Sequence, residues 1–258
     1  MIFAGGQIAV TKDRNQNVKN IKELIDYAVE MKADYYVTPE YSVSGWTDDA
    51  DVYSPPTEEV AELVDYAASK HIGSMLATLW TDEEDKVRNQ IRVYDKDGTF
   101  QDSANKLRTW GPLEVGDHST EAIGNNVIVM GNGNKIGLML CNDLWGGGLE
   151  GGPCVWKEML HHYSAHYFVH ATNARRGHNR FQDEVFSEYH NAWMRMLALD
   201  YDLLTVDNAI KMEGDPYYGE TASQSGILRN GYWVEKPPRY GVAYFCNTMG
   251  SPYEKKSN

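Results

Sequence analysis

The stretch that decides the fold reads Lys135-Ile136-Gly137-Leu138-Met139-Leu140-Cys141-Asn142-Asp143. Its apolar residues from Ile136 to Leu140 follow one another without polar alternation, which is typical of a strand covered on both faces. A cysteine and two small polar residues come directly after it. A nucleophile at the end of a buried strand can lie beside backbone N–H groups that stabilise an oxyanion. Cys141 is therefore a candidate nucleophile, and a buried structural cysteine is the alternative.

Short apolar runs alternate with amphipathic helices on both sides of this strand. Apolar residues at positions 18, 21, 24, 25 and 28 recur at helical spacing after Asn17, which we predict to be the helix N-cap. Strands are predicted at residues 2–10, 35–37, 73–79, 136–140, 167–170 and 203–206. Further helices are predicted at 60–68, 155–162 and 181–199, and hairpins at 88–100, 126–140 and 227–234. This alternation predicts one α/β domain with layered sheets and outer helices.

The composition excludes several classes of protein. The 258 residues contain 24 Lys and Arg against 37 Asp and Glu, a formal net charge of −13. Such a chain lacks the clustered cations that nucleic acids and anionic membranes attract. No apolar run approaches the roughly 18 residues of a membrane span, and no signal peptide is expected. The 3 cysteines are an odd number, unlike a disulfide framework, so a reduced, cytoplasmic location is expected.

A cysteine nucleophile needs a base to take its proton and a cation near the developing oxyanion. Glu40 follows the predicted strand 35–37, and Lys106 follows the predicted hairpin 88–100. Strand ends along one edge of an α/β sheet converge, so both side chains are candidates for a site with Cys141. A histidine partner is an alternative, because the chain has 8 histidines that the sequence does not place. Taken singly, Glu40 and Lys106 are also compatible with ordinary surface charges.

Three segments occur in a definite order along the chain. Pro39-Glu40 is followed by Gly45-Trp46, Lys106 is followed 8 residues later by Glu114, and the apolar strand ends in Cys141-Asn142-Asp143. Asn173 and Asp207-Asn208 come after later predicted strands. In this order and spacing, the segments resemble the nitrilase superfamily of carbon–nitrogen hydrolases over nearly the whole chain.

The resemblance implies a four-layer αββα sandwich in which residues 1–258 form a single carbon–nitrogen hydrolase domain. It implies that Glu40 is the general base and that Cys141 attacks the carbonyl carbon to form a thioester. Lys106 and the backbone N–H of Asn142 would stabilise the oxyanion, and Glu114 would be the second glutamate, which positions Lys106 or the substrate. The resemblance further implies no cofactor and a homodimer or higher homo-oligomer.

Departures from the family pattern affect the substrate pocket. Leu144-Trp145 stands where related carbamoyl-amino-acid hydrolases have two arginines, and residues 146–152 form a glycine-rich stretch. A small amide or carbamoyl compound is the expected substrate, ahead of a nitrile. The candidate substrate-binding residues are Asn142, Trp110, Trp145, Asn173 and Arg175. Core packing of the two tryptophans and a surface ion pair of Arg175 are the alternatives.

Other kinds of function and site are also compatible with some of these residues. The same thioester allows acyl transfer to an acceptor other than water. A catalytically inactive binding or regulatory module is the alternative of another class, although the presence of Glu40, Lys106 and Cys141 argues against it. The histidines at positions 161, 162, 166 and 170 do not share one face of the predicted helix and strand, so no metal site is predicted.

Overall fold

The computed structural model of the protein describes residues 1–47, 49–109, 112–117, 119–145, 154–173, 180–209, 223–238 and 241–250. Its strands are β1 (Ile2–Gln7), β2 (Tyr35–Val37), β3 (Gly73–Thr81), β4 (Val87–Tyr94), β5 (Phe100–Asn105), β6 (Val127–Val129), β7 (Lys135–Leu140), β8 (Tyr167–Ala171), β9 (Asp202–Val206), β10 (Gly226–Arg229), β11 (Tyr232–Glu235) and β12 (Ala243–Thr248). Its helices are α1 (Arg14–Glu30), α2 (Thr57–Ser69), α3 (Thr120–Asn125), α4 (Val155–His161) and α5 (Arg180–Leu197), with a 3₁₀ turn at Cys141–Leu144. Within this part of the chain, no helix combines the length and the apolar character that crossing a bilayer requires.

The described strands form two six-stranded mixed sheets. The first sheet has the order β12-β1-β2-β3-β4-β5, and the second has the order β11-β10-β9-β8-β7-β6. In the first, β2 lies parallel to both β1 and β3; in the second, β8 lies parallel to both β7 and β9. The outer strands pair antiparallel, several of them through hairpins. Each sheet therefore has a parallel centre, whose carboxyl ends lie along one edge.

The two sheets pack face to face, and helices cover their outer faces. Buried side chains such as Val37 and Leu138 fill the space between the sheets. Leu24 belongs to the core that joins the first sheet to α1 and α2. Leu197 belongs to the core that joins the second sheet to α3, α4 and α5. The result is a four-layer αββα sandwich, so the predicted fold class is confirmed.

The strand quoted first is β7, which is buried from Ile136 to Leu140. It pairs antiparallel with β6 and parallel with β8, so both of its edges are hydrogen-bonded. Its glycine is required by close packing: a Cβ at Gly137 would lie 2.5 Å from the Phe168 ring. The continuous apolar run therefore forms a strand with both faces covered, as its pattern predicts.

Some local predictions were wrong or incomplete. The N-cap of α1 is Asp13, whose carboxylate accepts from the N–H groups of Asn15 and Gln16; it is not Asn17. Asn17 is buried inside the helix, and its amide makes hydrogen bonds of 2.8 Å to both the N–H and the carbonyl of Thr11. Two elements, α3 and β12, were not predicted. Strand β12 pairs antiparallel with β1, a contact between the two ends of the described chain that local patterns do not encode.

Candidate active site

Glu40 lies just beyond the carboxyl end of β2 and is 1% exposed. Its Oε1 accepts hydrogen bonds from Lys106 Nζ at 2.8 Å and from Asn89 Nδ2 at 2.7 Å. Its Oε2 accepts a hydrogen bond from the backbone N–H of Asn173 at 2.9 Å. Because Asn173 follows β8 in the second sheet, this carboxylate connects the two sheets. Three donors compensate for the hydration that the buried carboxylate has lost, and they fix its orientation.

Lys106 follows β5, and its backbone N–H donates to Asn89 O at 2.7 Å, which extends the pairing of β5 with β4. The residue is 2% exposed. Its Nζ lies 2.8 Å from Glu40 Oε1 and 3.8 Å from Glu114 Oε2. Burial by itself would lower the pKa of Lys106, but the neighbouring Glu40 and Tyr41 outweigh burial and raise the pKa well above its usual value. The ammonium group therefore stays charged throughout the neutral pH range.

Glu114 is a second buried carboxylate beside Lys106. Its Oε1 accepts hydrogen bonds from the Tyr41 hydroxyl and from Asn89 Nδ2, the latter at 3.2 Å. Burial raises the pKa of Tyr41 well above its usual value, so the hydroxyl keeps the proton that it donates. The Asn89 amide is shared between Glu114 and Glu40. One network therefore fixes both carboxylates around a single ammonium group.

Cys141 begins the 3₁₀ turn that follows β7, with a φ of +48°. A residue with a Cβ adopts this left-handed region rarely, and such strain is found most often at functional sites. The residue is half-buried. Desolvation and the charge of Glu40 raise the pKa of the Cys141 thiol to about 12, although Lys106 acts against them. The thiol is therefore protonated at neutral pH and depends on a base to become a nucleophile.

Asp143 ties the cysteine turn to the segment that carries Lys106. It is fully buried, and its Oδ1 accepts a hydrogen bond from the N–H of Arg108 at 2.9 Å. Its Oδ2 accepts from the N–H groups of Leu107 at 3.2 Å and Leu140 at 3.3 Å. Burial raises the pKa of Asp143 to about 6, although these hydrogen bonds lower it. The ends of β5 and β7, one from each sheet, are thus held by one carboxyl group.

Several residues of the site were not predicted. Asn89 lies on β4 and Tyr41 directly after Glu40, so their sequence neighbours offered only a weak signal. His170, one of the histidines that the sequence did not place, is fully buried on β8. Its Nε2 lies 2.9 Å from the Cys141 carbonyl oxygen, and its Nδ1 lies 2.9 Å from Thr205 Oγ1. Only the pairing of β8 with its neighbours brings these groups together.

The predicted substrate-binding residues Asn142 and Asn173 both lie at this edge. Asn142 is 8% exposed, and its Oδ1 has no hydrogen-bond partner among the described residues. The side-chain oxygen of Asn173 accepts a hydrogen bond from Asn208 Nδ2, after β9. The strand ends of β2, β5, β7, β8 and β9 therefore all contribute polar groups to one region.

The remaining predicted binding residues are placed differently. Trp145 is 4% exposed and packs in the core beneath α4 and α5. Its indole N–H donates to His190 Nδ1 at 3.1 Å, so its placement agrees with the packing alternative. Trp110 and Arg175 lie outside the described residues. In the part of the chain that is described, no group of three or more His, Cys, Asp or Glu side chains has the arrangement of a metal site.

A buried glutamate–lysine pair beside a cysteine at a strand end invites comparison with known families. Residues 3–148, more than half of the chain, match the carbon-nitrogen hydrolase family. The chain belongs to the carbon-nitrogen hydrolase family. The matched region contains Glu40, Lys106, Glu114 and Cys141. No curated protein sequence matches this member of the family.

Solved structures share its fold at low sequence identity. The amidase NitN from Nesterenkonia sp. has a TM-score of 0.73 at 16% identity, with 96% of this chain and 92% of that chain covered. A carbon-nitrogen hydrolase from Helicobacter pylori has a TM-score of 0.72 at 14% identity, with coverage of 95% and 88%. The glutamine-dependent NAD+ synthetase from Acinetobacter baumannii has a TM-score of 0.71 at 15% identity, with coverage of 95% and 45%. A glutamate mutant of the Nesterenkonia amidase carries the acetamide moiety of fluoroacetamide on its active-site cysteine.

Proposed function

We propose that this carbon–nitrogen hydrolase cleaves a non-peptide C–N bond of a small amide or carbamoyl compound through a thioester on Cys141. The observation that carries the proposal is the buried pair of Glu40 and Lys106, 2.8 Å apart, whose charges both act on the Cys141 thiol. Burying two charges is costly, so a buried pair is weak evidence for stability alone. Beside a protonated thiol, the same pair supplies the base and the cation that acyl transfer requires.

In acylation, Glu40 takes the thiol proton and the Cys141 sulfur attacks the carbonyl carbon. A C–S bond forms, and the carbonyl π electrons move onto oxygen. Lys106 Nζ and the N–H of Asn142 stabilise this oxyanion, because fixed donors in a water-poor site are effective there. When the intermediate collapses, Glu40 returns the proton to nitrogen, the C–N bond breaks, and ammonia or an amine leaves. The acyl group remains on sulfur as a thioester.

In deacylation, the same carboxylate acts on water. Glu40 removes a proton from the water molecule, whose oxygen attacks the thioester carbon. The C–S bond breaks, sulfur regains the proton, and a carboxylic or carbamic acid leaves. Glu114 acts by holding Lys106 from the second side, and Asn142, Asn173, Trp110 and Arg175 remain the proposed contacts to substrate.

We propose that residues 1–258 form a single hydrolase domain that needs no cofactor. We also propose that it works in the cytoplasm, where its thiol stays reduced. We further propose a homodimer or higher homo-oligomer. Exposed apolar side chains in and beside the outer helix and the edge strand of the second sheet support it, namely Tyr189 and Met196 of α5, Leu199, and Tyr232 and Val234 of β11. Light scattering at several concentrations tests it, and a monomer at all of them would contradict it.

A substrate panel tests the proposed reaction. Ammonia release from amides, carbamoyl compounds and nitriles is measured with and without added amine acceptors. Release that requires only water supports hydrolysis, a product joined to the amine indicates acyl transfer, and turnover of nitriles alone points to the nitrilase alternative. No turnover of any compound would favour the inactive binding module.

Mass spectrometry of the acyl adduct tests the residues. We expect native protein quenched with acid during turnover to carry the acyl group on the peptide that contains Cys141, and Glu40→Gln, which lacks the base for the thiol proton, to carry much less of it. Cys141→Ala should lose turnover by at least about 10⁴-fold, as removal of a nucleophile does. Cys154→Ala is the matched control, because Cys154 is also a free, half-buried cysteine, and it should keep normal turnover. Labelling of another residue, or normal turnover in Cys141→Ala, would refute the mechanism.

A further inference from the structure

Two buried histidines beside the cysteine turn have no part in the proposed proton transfers. His170 on β8 and His190 on α5 are both fully buried. Their rings lie 5.1 Å apart between centroids, at an interplanar angle of 36°. Burial lowers the pKa of His170 to about 4 and the pKa of His190 well below its usual value. Both rings are therefore neutral at neutral pH, and a neutral ring is a fixed donor and acceptor rather than a charge.

The partners of His170 fix which nitrogen carries its proton. A carbonyl oxygen can only accept, so the contact of Nε2 with the Cys141 carbonyl at 2.9 Å requires Nε2–H to donate. Nδ1 then has a lone pair and accepts from the Thr205 hydroxyl at 2.9 Å. His170 and Thr205 are paired across β8 and β9, so their side chains leave the sheet on the same face. The tautomer is thus set by the sheet register.

The carbonyl that His170 holds belongs to the peptide unit between Cys141 and Asn142. A trans peptide is planar, and its C=O and N–H point in opposite directions. A hydrogen bond that fixes the carbonyl on one side therefore also fixes the direction of the Asn142 N–H on the other side. This matters because Cys141 has a φ of +48°, a conformation that a residue with a Cβ tends to leave. Donation to the carbonyl also polarises the unit and strengthens its N–H as a donor.

The other end of the same turn is held by the second histidine. His190 Nδ1 accepts a hydrogen bond from the indole N–H of Trp145, the residue directly after the 3₁₀ turn, at 3.1 Å. His190 also packs against His170. The turn is therefore held at its first carbonyl and, directly after its end, at the Trp145 side chain by two rings that lie against each other.

We propose that His170 is a positioning residue that orients the Cys141–Asn142 peptide unit, so that the Asn142 N–H points at the acyl oxygen of the substrate. The inference rests on the proposed thioester mechanism. It assigns His170 no contact with substrate and no proton transfer. His190 supports the arrangement by fixing Trp145 and the His170 ring.

Two reactions of the same sulfur separate this role from a general structural one. Amide hydrolysis builds negative charge on the acyl oxygen, whereas alkylation by iodoacetamide is a displacement at a CH₂ carbon that builds none. We expect His170→Leu to lower kcat for the best amide of the panel about 10- to 100-fold, with KM changed less than about 3-fold, as for lost supporting interactions. Alkylation of Cys141, followed by peptide mapping, should stay within about 3-fold of the native rate, since no oxyanion forms.

Conservative and control variants complete the experiment. His170→Gln keeps a side-chain N–H near the position of Nε2 and should recover most of kcat. His166 precedes β8 on the same strand path and accepts from Lys135 N at 2.8 Å, so His166→Gln is the matched control and should behave as the native protein. Should His170→Leu lose its native circular dichroism, Thr205→Val decides instead, because it removes only the group that fixes the tautomer. We expect it to lower kcat about 3- to 10-fold, since one supporting hydrogen bond is lost.

Each outcome has a distinct meaning. Hydrolysis unchanged in His170→Leu, or in Thr205→Val where that variant decides, overturns the positioning role. Hydrolysis and alkylation that fall in equal proportion also overturn it, because the sulfur itself would then be misplaced. A native protein that turns over no compound, or whose Cys141 is dispensable, overturns the proposed function and the positioning role with it. Slower hydrolysis with normal alkylation, restored by His170→Gln, supports the role.

Discussion

The two sheets contribute to the site in different ways. The first sheet supplies charged side chains, Glu40 after β2 and Lys106 after β5, joined to Glu114 by an ion-pair and amide network. The second sheet supplies Cys141, a neutral thiol, and holds it through backbone geometry and the neutral His170. Charge is thus arranged on one sheet and the thiol on the other, and the proposed reaction requires both.

The difference has a physical cause. A buried charge must have partners with good geometry, since an uncompensated one costs several kcal/mol. The carboxylate of Glu40 therefore has three donors within hydrogen-bonding distance. A protonated thiol carries no charge and requires no such shell. Cys141 instead requires a fixed side-chain orientation. A left-handed backbone conformation at a strand end provides that orientation when neighbouring groups hold it in place.

Removing the cation from the charged network of the first sheet has the largest expected effect. Lys106→Met leaves Glu40 buried without its cation, which should lower the free energy of unfolding by about 3–5 kcal/mol. Loss of the main oxyanion group should also reduce turnover by about 10³-fold or more. Urea denaturation at neutral pH measures the first effect and ammonia release the second.

The control for this prediction lies on the second sheet. Lys135 on β7 is half-buried, and its Nζ donates to Tyr163 O at 3.1 Å without a carboxylate partner in that bond. Lys135→Met should therefore cost no more than about 1 kcal/mol. Equal losses of unfolding free energy in the two variants would mean that Lys106 does not stabilise the buried Glu40 carboxylate.

The same comparison shows what the sequence could predict. Cys141 directly follows an apolar run, Glu40 follows a short β-rich run and Thr38-Pro39, and Lys106 follows a predicted hairpin, so local pattern places them at strand ends and the family resemblance assigns their roles. Asn89 and His170 lie inside strands, where polar residues carry no local signal of function. Their partners are set by the register between strands, and register depends on pairings across the whole sheet. The contact of β12 with β1 escaped prediction for the same reason.

A variant of Glu114 tests whether catalysis needs the second carboxylate beside Lys106. Glu114→Gln keeps an oxygen for Tyr41 and Asn89 but removes a negative charge 3.8 Å from Lys106 Nζ. We expect kcat to fall about 10- to 100-fold, the usual effect of losing a supporting group, and the fold to remain intact. Glu84 is exposed and forms an ion pair with Lys86, so Glu84→Gln should leave kcat unchanged. A kcat in Glu114→Gln equal to that of the control would remove Glu114 from the catalytic set.

The neutral His170 of the second sheet leads to a prediction about the stability of the fold in acid. The pKa of His170 is about 4 in the folded protein and 6.5 as the ordinary value, because burial disfavours the imidazolium ion. The unfolded chain therefore binds a proton more readily, and the stability that neutral His170 allows is complete above pH 6.5 and is lost as the pH falls towards 4. Between pH 7 and pH 5 this single group should cost about 2 kcal/mol. Urea titrations at the two pH values measure it.

The variant His170→Gln isolates that contribution, because its amide does not titrate. Other groups around the ring also change the stability of the fold as the pH falls. Protonation of His190 destabilises the folded state, as protonation of His170 does. Protonation of Asp143, whose pKa is raised to about 6, stabilises it. Glu40, Lys106 and Cys141 face the same region and are present in both proteins. The difference between the native protein and His170→Gln should thus still be about 2 kcal/mol, with the native protein losing more in acid. Parallel pH profiles would mean that burial does not keep His170 neutral. The ring could then donate to the Cys141 carbonyl as an imidazolium ion, and the single neutral tautomer inferred above would be wrong.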